Sequence, residues 1–374
     1  MKIALVYDRV NKWGGAERVL LAFHEMFPEA PLYTSVYDEK KAPWAKAFPK
    51  IYISFLQHIP FAKSNHELFG WLMPLVFESF NFDKYDLVIS VTSEAAKGII
   101  TKPKTRHICY CLTPTRYLWS HYDLYFKNPI MRSISKPIVR YLKNWDKIAA
   151  QRPDKIVAIS GEVAGRIKKY YNRDSEVIFP PVNLHRKKLL LRGPRSGAAS
   201  RNFFDDAYYL IVSRLVPYKK VDLAVKTFNK LKLPLIIVGR GSQANNLKLI
   251  ANNNIKFTGE VSEEELIKYY QGAKALVMPQ EEEFGIVSVE AQSFGVPVIA
   301  YKKGGALDTV AEGKTGTFFL RQEVDSLASV VAQFNERPIF DRPSLVENAG
   351  RFSKDNFKMT FLDFLKKYSR IQKL

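Results

Sequence analysis

Short runs of Val, Ile, Leu and Tyr alternate with amphipathic stretches along this chain, and the alternation comes in two successive series. Strand, amphipathic helix, strand is the pattern of βα units around a parallel sheet, because parallel neighbours need a long crossover between them. The first series has strand-like runs at 2–8, 32–36, 87–91, 108–112, 156–160 and 177–179. Pro180-Pro181 ends it, since two prolines cannot continue an interior strand. A basic connector containing Gly and Ser follows at 186–201. The second series has runs at 208–213, 235–239, 255–258, 275–278 and 298–300, and the tail is helical in pattern, with Phe357, Phe361 and Phe364 at helical spacing. At 374 residues the chain suits two cores better than one. The expectation is an α/β protein with domains at 1–183 and 184–351 and a terminal helix within 352–374.

Open α/β sheets bind ligands in the crevice beyond their strand ends, so the turns that follow strands carry the chemistry. The run Glu282-Glu283-Phe284-Gly285-Ile286-Val287-Ser288-Val289-Glu290 follows the strand-like stretch 274–279 and opens a helix-like one. Each carboxylate accepts from up to two hydroxyl donors, so Glu282 and Glu290 together suit vicinal diols. The alternative is a solvated acidic loop before an ordinary surface Glu. Arg214 and Lys219, in Ser213-Arg-Leu-Val-Pro-Tyr-Lys219, lie past the first strand of the second series, where a planar fork and a point charge suit phosphate oxygens. No Asp-x-Asp occurs anywhere to hold a metal. Gly14-Gly15 and Gly304-Gly305 are loops where backbone can approach a substrate closely.

These features resemble the retaining GT-B glycosyltransferases of family 4, with the strongest likeness to bacterial mannosyltransferase-type members that build surface polysaccharides. Carrying the likeness are Arg214 and Lys219, the Glu282/Glu290 pair, and Gly304-Gly-Ala-Leu-Asp-Thr-Val310 with Thr315-Gly316 behind it. The resemblance implies two Rossmann-like domains facing a central cleft, with the last helix crossing back onto the first. It implies a donor nucleotide sugar and no metal or other cofactor. In that frame Arg214 and Lys219 hold the diphosphate, Glu282 the sugar hydroxyls and Glu290 the ribose, with Phe284, Gly285 and Ile286 in the turn between. Gly14 and Gly15 lie against the donor phosphates, and the loops Gly239-Arg-Gly241 and Gly259-Glu260-Val261 meet the base. The mannosyltransferase likeness favours GDP-mannose as donor and a lipid-linked or polysaccharide acceptor; a UDP-sugar transferase and a catalytically weak carbohydrate-binding subunit are the alternatives.

Three departures stand out. The family usually has Gly after the lysine, where this chain has Lys220, as expected of a less tight loop. In Tyr110-Cys-Leu-Thr-Pro-Thr-Arg-Tyr-Leu-Trp119 relatives usually carry His where this chain has Leu112. His107 and His121 are the nearby substitutes, and Arg116 in the same run is an acceptor or phosphate ligand candidate. Asp308 stands where the family more often has Glu.

The net charge of +20 fits an anionic substrate, an anionic membrane surface or a merely basic exterior, and no nucleic-acid-binding pattern accompanies it. An aromatic and basic segment at 41–82 reads either as membrane-facing or as core and lid of the first domain. Cys109 and Cys111, one residue apart in a strand, read as buried free thiols of a reducing compartment. Met1 leads straight into a strand with no basic and apolar leader, so the expected location is cytoplasmic, with peripheral contact at the inner membrane face as an addition.

Overall fold

The computed structural model describes residues 1–63, 66–120, 122, 128–184, 208–336 and 340–369; the connector at 186–201 and His121 lie outside them. The chain forms two units, residues 1–181 with 357–374, and residues 182–356.

Unit 1 contains β1 (Ile3–Tyr7), β2 (Leu32–Thr34), β3 (Ile51–Ile53), β4 (Leu87–Thr92), β5 (Arg106–Cys111), β6 (Lys155–Ala158) and β7 (Glu176–Val177). They pair in parallel in the order β3-β2-β1-β4-β5-β6-β7. The order reverses between β1 and β4, which is where such sheets open a crevice at their C-terminal ends. Strands covered on both faces are mostly apolar, and every residue of β4 is buried, Ser90 and Thr92 with side-chain hydrogen-bond partners. Cys109 and Cys111 are free and buried in β5.

The helix Lys354–Ser369 completes this unit. The Phe361 ring lies 4.7 Å from Phe23, Phe357 lies 5.3 Å from Phe23, and both meet Tyr110. The phenylalanine spacing seen in the sequence is therefore the inward face of that helix. Within 41–82 the aromatics divide. Phe48, Phe77 and Phe82 are buried, and Tyr52 stacks on Tyr33 at 4.5 Å, whereas Phe55, Phe61 and Trp71 are exposed. Most of the segment's aromatic rings thus lie in the first-domain core or, like Tyr52, Phe69 and Phe80, against it.

Unit 2 contains β8 (Tyr208–Val212), β9 (Leu235–Val238), β10 (Ile255–Gly259), β11 (Ala273–Met278), β12 (Val298–Tyr301) and β13 (Gly316–Phe319), parallel in the order β10-β9-β8-β11-β12-β13. Alternate residues feed two separate cores, as the two-residue repeat of a strand requires. Tyr209 and Ile211 pack with Val225, Phe228, Leu327 and Val331 on one face; Tyr208 and Leu210 pack with Tyr270, Ala291 and Phe294 on the other. The order reverses between β8 and β11, so the loops after these strands share one crevice.

Candidate active site

Lys219 and Glu282 are 63 positions apart and meet at the β8/β11 reversal. The loop after β8 ends in a single turn of 3-10 helix, Pro217–Lys219, and the loop after β11 carries Glu282. The Lys219 ammonium pairs with Glu282 Oε1, and Gln280 Nε2 donates to the same oxygen at 2.8 Å. Both charged side chains are mostly shielded, at 11% and 16% exposure, which strengthens their attraction over that of a surface pair. Arg214, exposed on the same loop, donates from Nη2 to Tyr218 OH at 2.5 Å, and the Lys219 ammonium sits 5.3 Å over the Tyr218 ring. One tyrosine thus orders both cations.

The helix that follows begins at Val221, so Lys219 precedes it by two residues. Lys220 between them has φ 51° and ψ 30°. That left-handed conformation costs an L-residue about 1–2 kcal/mol and explains a glycine preference at the position. The loop is not relaxed by the exchange, contrary to the expectation from sequence; Lys220 takes the strained conformation.

The Glu282 turn is held from behind by Gly304-Gly305. Gly305 N–H donates to the Glu282 carbonyl at 2.8 Å, and a Cβ on Gly305 would stand 2.3 Å from Phe284 Cα. These glycines therefore permit one loop to lie on another. Gly239 does the same on the other side, where an added Cβ would stand 1.9 Å from the Ser213 carbonyl oxygen, just before Arg214. Gly285, with φ 88°, starts the helix Ile286–Ser293, and Phe284 is buried against Phe352. Half-buried Ile286 opens that helix and Glu290 lies one turn on, where its Oε2 accepts from Tyr270 OH at 3.0 Å. Glu282 and Glu290 thus take different partners, one cationic and one phenolic. Glu260 pairs with Arg240 at 2.9 Å on the surface, Val261 packs on the core, and half-buried Asp308 lies in the short helix Ala306–Thr309.

In unit 1, Gly14 precedes and Gly15 begins the helix Gly15–Met26. Buried Glu17 in its first turn accepts from Tyr7 OH at 2.7 Å. At the β1/β4 reversal, buried Asp8 accepts from the backbone N–H groups of Ser93, Glu94, Ala95 and Ala96 at 2.7–3.0 Å, fixing the loop after β4. The loop after β5 is fixed by Asp146, which is 1% exposed. Its Oδ1 pairs with Lys97 at 2.5 Å and accepts from Thr115 Oγ1 at 3.0 Å; its Oδ2 accepts from Trp119 Nε1 and Tyr171 OH, each at 2.7 Å. Burial opposes the Lys97 charge, but the Asp146 carboxylate beside it holds the ammonium above its ordinary pKa. Half-buried Arg116 opens the turn Arg116–Trp119 that this carboxylate pins.

Leu112 directly follows β5, is half-buried, and donates its N–H to the Thr92 carbonyl at 2.8 Å. His107 cannot stand in for a histidine there. It lies near the other end of β5, wholly buried, its Nε2 2.8 Å from Ser90 Oγ, and burial with Arg152 and Arg173 nearby pushes its pKa down to about 3. Asp8, Lys97, Asp146, Tyr218 and Tyr270 were not singled out by sequence reasoning; only the aromatic run ending in Trp119 marked that part of the chain.

Two parallel sheets of this order, each with its crevice at the reversal, define a protein of the GT-B class. Residues 198–352 match the family model described as glycosyl transferases group 1. A GDP-mannose-dependent alpha-(1-6)-phosphatidylinositol monomannoside mannosyltransferase of Mycolicibacterium smegmatis is 32% identical over 41% of the chain and 45% of its own length. A D-inositol 3-phosphate glycosyltransferase of Streptomyces scabiei is 27% identical over 54% of the chain and 50% of its own length. The chain thus spans about half the length of the relatives it matches. Among solved structures, sucrose-phosphate synthase from Thermosynechococcus elongatus superposes with a TM-score of 0.71 over 98% of this chain and 99% of its own, at 17% identity. Anabaena HepE in complex with UDP-glucose gives 0.67 over 98% and 100%, at 18% identity. At such identities the likeness carries the fold.

Proposed function

We propose that the protein is a retaining glycosyltransferase that moves mannose from GDP-mannose to a lipid-linked or polysaccharide acceptor without a metal. The observation that carries the reading is the shielded pairing of Lys219 with Glu282 at the β8/β11 reversal, with exposed Arg214 on the same loop. An arriving diphosphate takes the Lys219 ammonium and the Arg214 fork, and Glu282 turns its freed oxygen to sugar hydroxyls. Glu290 takes the ribose diol. As the bond from the anomeric carbon to phosphate breaks, negative charge grows on the leaving oxygen beside the two cations, which stabilise it most in the transition state. The acceptor hydroxyl attacks from the same face and gives its proton to that phosphate oxygen, so the reaction does not require a histidine at position 112. The mycobacterial relative, named as GDP-mannose-dependent, supports the donor.

A UDP-sugar transferase is the second reading, favoured by the fold likeness to a UDP-glucose complex. Thermal melts with a panel of GDP- and UDP-sugars separate the two, because a bound ligand raises the melting temperature. The reading requires GDP-mannose to give the largest rise and to be hydrolysed or transferred in EDTA. Activity lost in EDTA and restored by magnesium or manganese refutes the role given to Arg214 and Lys219. Binding without any hydrolysis or transfer identifies a carbohydrate-binding subunit instead.

A further inference from the structure

The helix Pro129–Ala149 of unit 1 has two exposed faces of different chemistry. Ile130, Ile134, Ile138, Tyr141 and Ile148 are 47–69% exposed. At 3.6 residues per turn they fall within an arc of about 80°, a stripe roughly 27 Å long. Lys136, Arg140 and Lys147 are exposed on a second arc of about 40°, separated from the first on one side by Ser133 and Asn144. The inward face carries Val139, Leu142 and Asp146, which are buried. Asp146 is the only acidic residue of the helix, so neither exposed face bears a negative charge.

Isolated exposed apolar side chains are ordinary, but four isoleucines and a tyrosine in register along one helix are not. Water gains nothing from the stripe, and among the described residues nothing covers it at these exposures. The occupant must accept an apolar ridge and, along the same axis, a row of cations. A bilayer with anionic headgroups offers both in one plane, with the isoleucines at the acyl boundary and the long basic side chains reaching back to the phosphates. The chain's net charge of +20 adds attraction to the same surface. Among the described residues no helix is long and apolar enough to cross a membrane, so contact is along the surface.

We propose that Pro129–Ala149 is a membrane-docking helix that seats unit 1 on an anionic bilayer. The inference builds on the reading of a lipid-linked acceptor, which such seating would bring within reach. It moves the membrane contact from the 41–82 segment, much of which is core, to this helix.

The test is co-sedimentation of the full chain with phosphatidylcholine vesicles, with and without phosphatidylglycerol. No sugar nucleotide or acceptor is present, so failure here is distinct from failure of the proposed transfer. The chain should bind anionic vesicles at least about tenfold more strongly than neutral ones, and salt should weaken the difference. K136E/R140E should reduce that binding by more than about twentyfold, since each basic side chain near the surface contributes about fivefold. I134S/I138S should also release the protein while keeping the wild-type melting temperature and nucleotide titration, which shows that both units remain folded. No vesicle binding by the wild type overturns the proposal, as does unchanged binding by either variant. A dimer in analytical ultracentrifugation that I134S/I138S dissolves also overturns it, because a second copy would then cover the stripe.

Discussion

Replacing Gly305 with Ala isolates the contact that holds the Glu282 turn. Gly305 has φ −63° and ψ −11°, a conformation alanine adopts freely, so the substitution adds no backbone strain of its own. It adds only volume. The new Cβ would stand 2.3 Å from Phe284 Cα and 2.6 Å from both Phe284 N and O, all backbone atoms that no rotamer change can move. The two loops must separate, and the 2.8 Å hydrogen bond from Gly305 N–H to the Glu282 carbonyl is lost with them. Overpacking costs about 1–3 kcal/mol and the hydrogen bond about 0.5–1.5, for a total of about 1.5–4.5 kcal/mol. For a unit of this size that lowers the melting temperature by about 5–15 °C. Because Glu282, the proposed ligand of the donor sugar hydroxyls, moves with its backbone, GDP-sugar and UDP-sugar titrations should weaken together. Gly165→Ala is the matched control: its Cβ meets nothing within 4 Å inside the helix Gly161–Tyr171, so stability should rise by about 0.5–1 kcal/mol. If Gly305→Ala melts with the wild type and titrates identically, the close approach of the two loops is not what orients Glu282.

Lys220→Gly should raise stability by up to about 1 kcal/mol in urea unfolding, since relief of a left-handed L-residue exceeds the extra freedom glycine gives the unfolded chain; a loss contradicts the strain argument. Glu290→Gln keeps the shape but exchanges a charged acceptor for an amide, so nucleotide-sugar affinity should fall about tenfold or more in calorimetric titration, with the fold intact. His107 sets an acid limit. Its folded pKa is pushed below the unfolded value near 6.5, so the unfolded chain binds the extra proton first and stability falls from about pH 6.5 toward 3, by about 1.4 kcal/mol per unit. His107→Gln should flatten that part of the stability profile, whatever its effect at neutral pH.

The strands that sequence revealed are those with mostly apolar runs buried on both faces, such as β1, β4 and β11. β3 and β13 escaped notice. The first is three residues within an aromatic segment, and the second opens with Gly316, so neither shows enough periodicity to stand out. Lys219 and Glu282 were legible because each sits in a local motif beside a strand end. Lys97 and Asp146 were not, since a buried ion pair 49 positions apart leaves no mark on either neighbourhood. The left-handed Lys220 was invisible for another reason: sequence shows which residue departs from a pattern, whereas only the backbone shows whether the conformation changed with it.

Unit 1 is written in two pieces, with all of unit 2 between them. Synthesis from the N-terminus therefore delivers Phe23 and Tyr110 long before Phe357 and Phe361, the rings that cover them. Until Phe357 and Phe361 have been made, the first sheet presents an unfilled aromatic slot, the kind of surface that chaperones hold and that neighbouring nascent chains stick to. The second unit suffers no such delay, as its cores close within one continuous stretch. A premature stop before Phe357 would thus yield a well-formed unit 2 tethered to an aggregation-prone partner. A circular permutation that moves the last helix to the front would let both units mature in the order in which they are made.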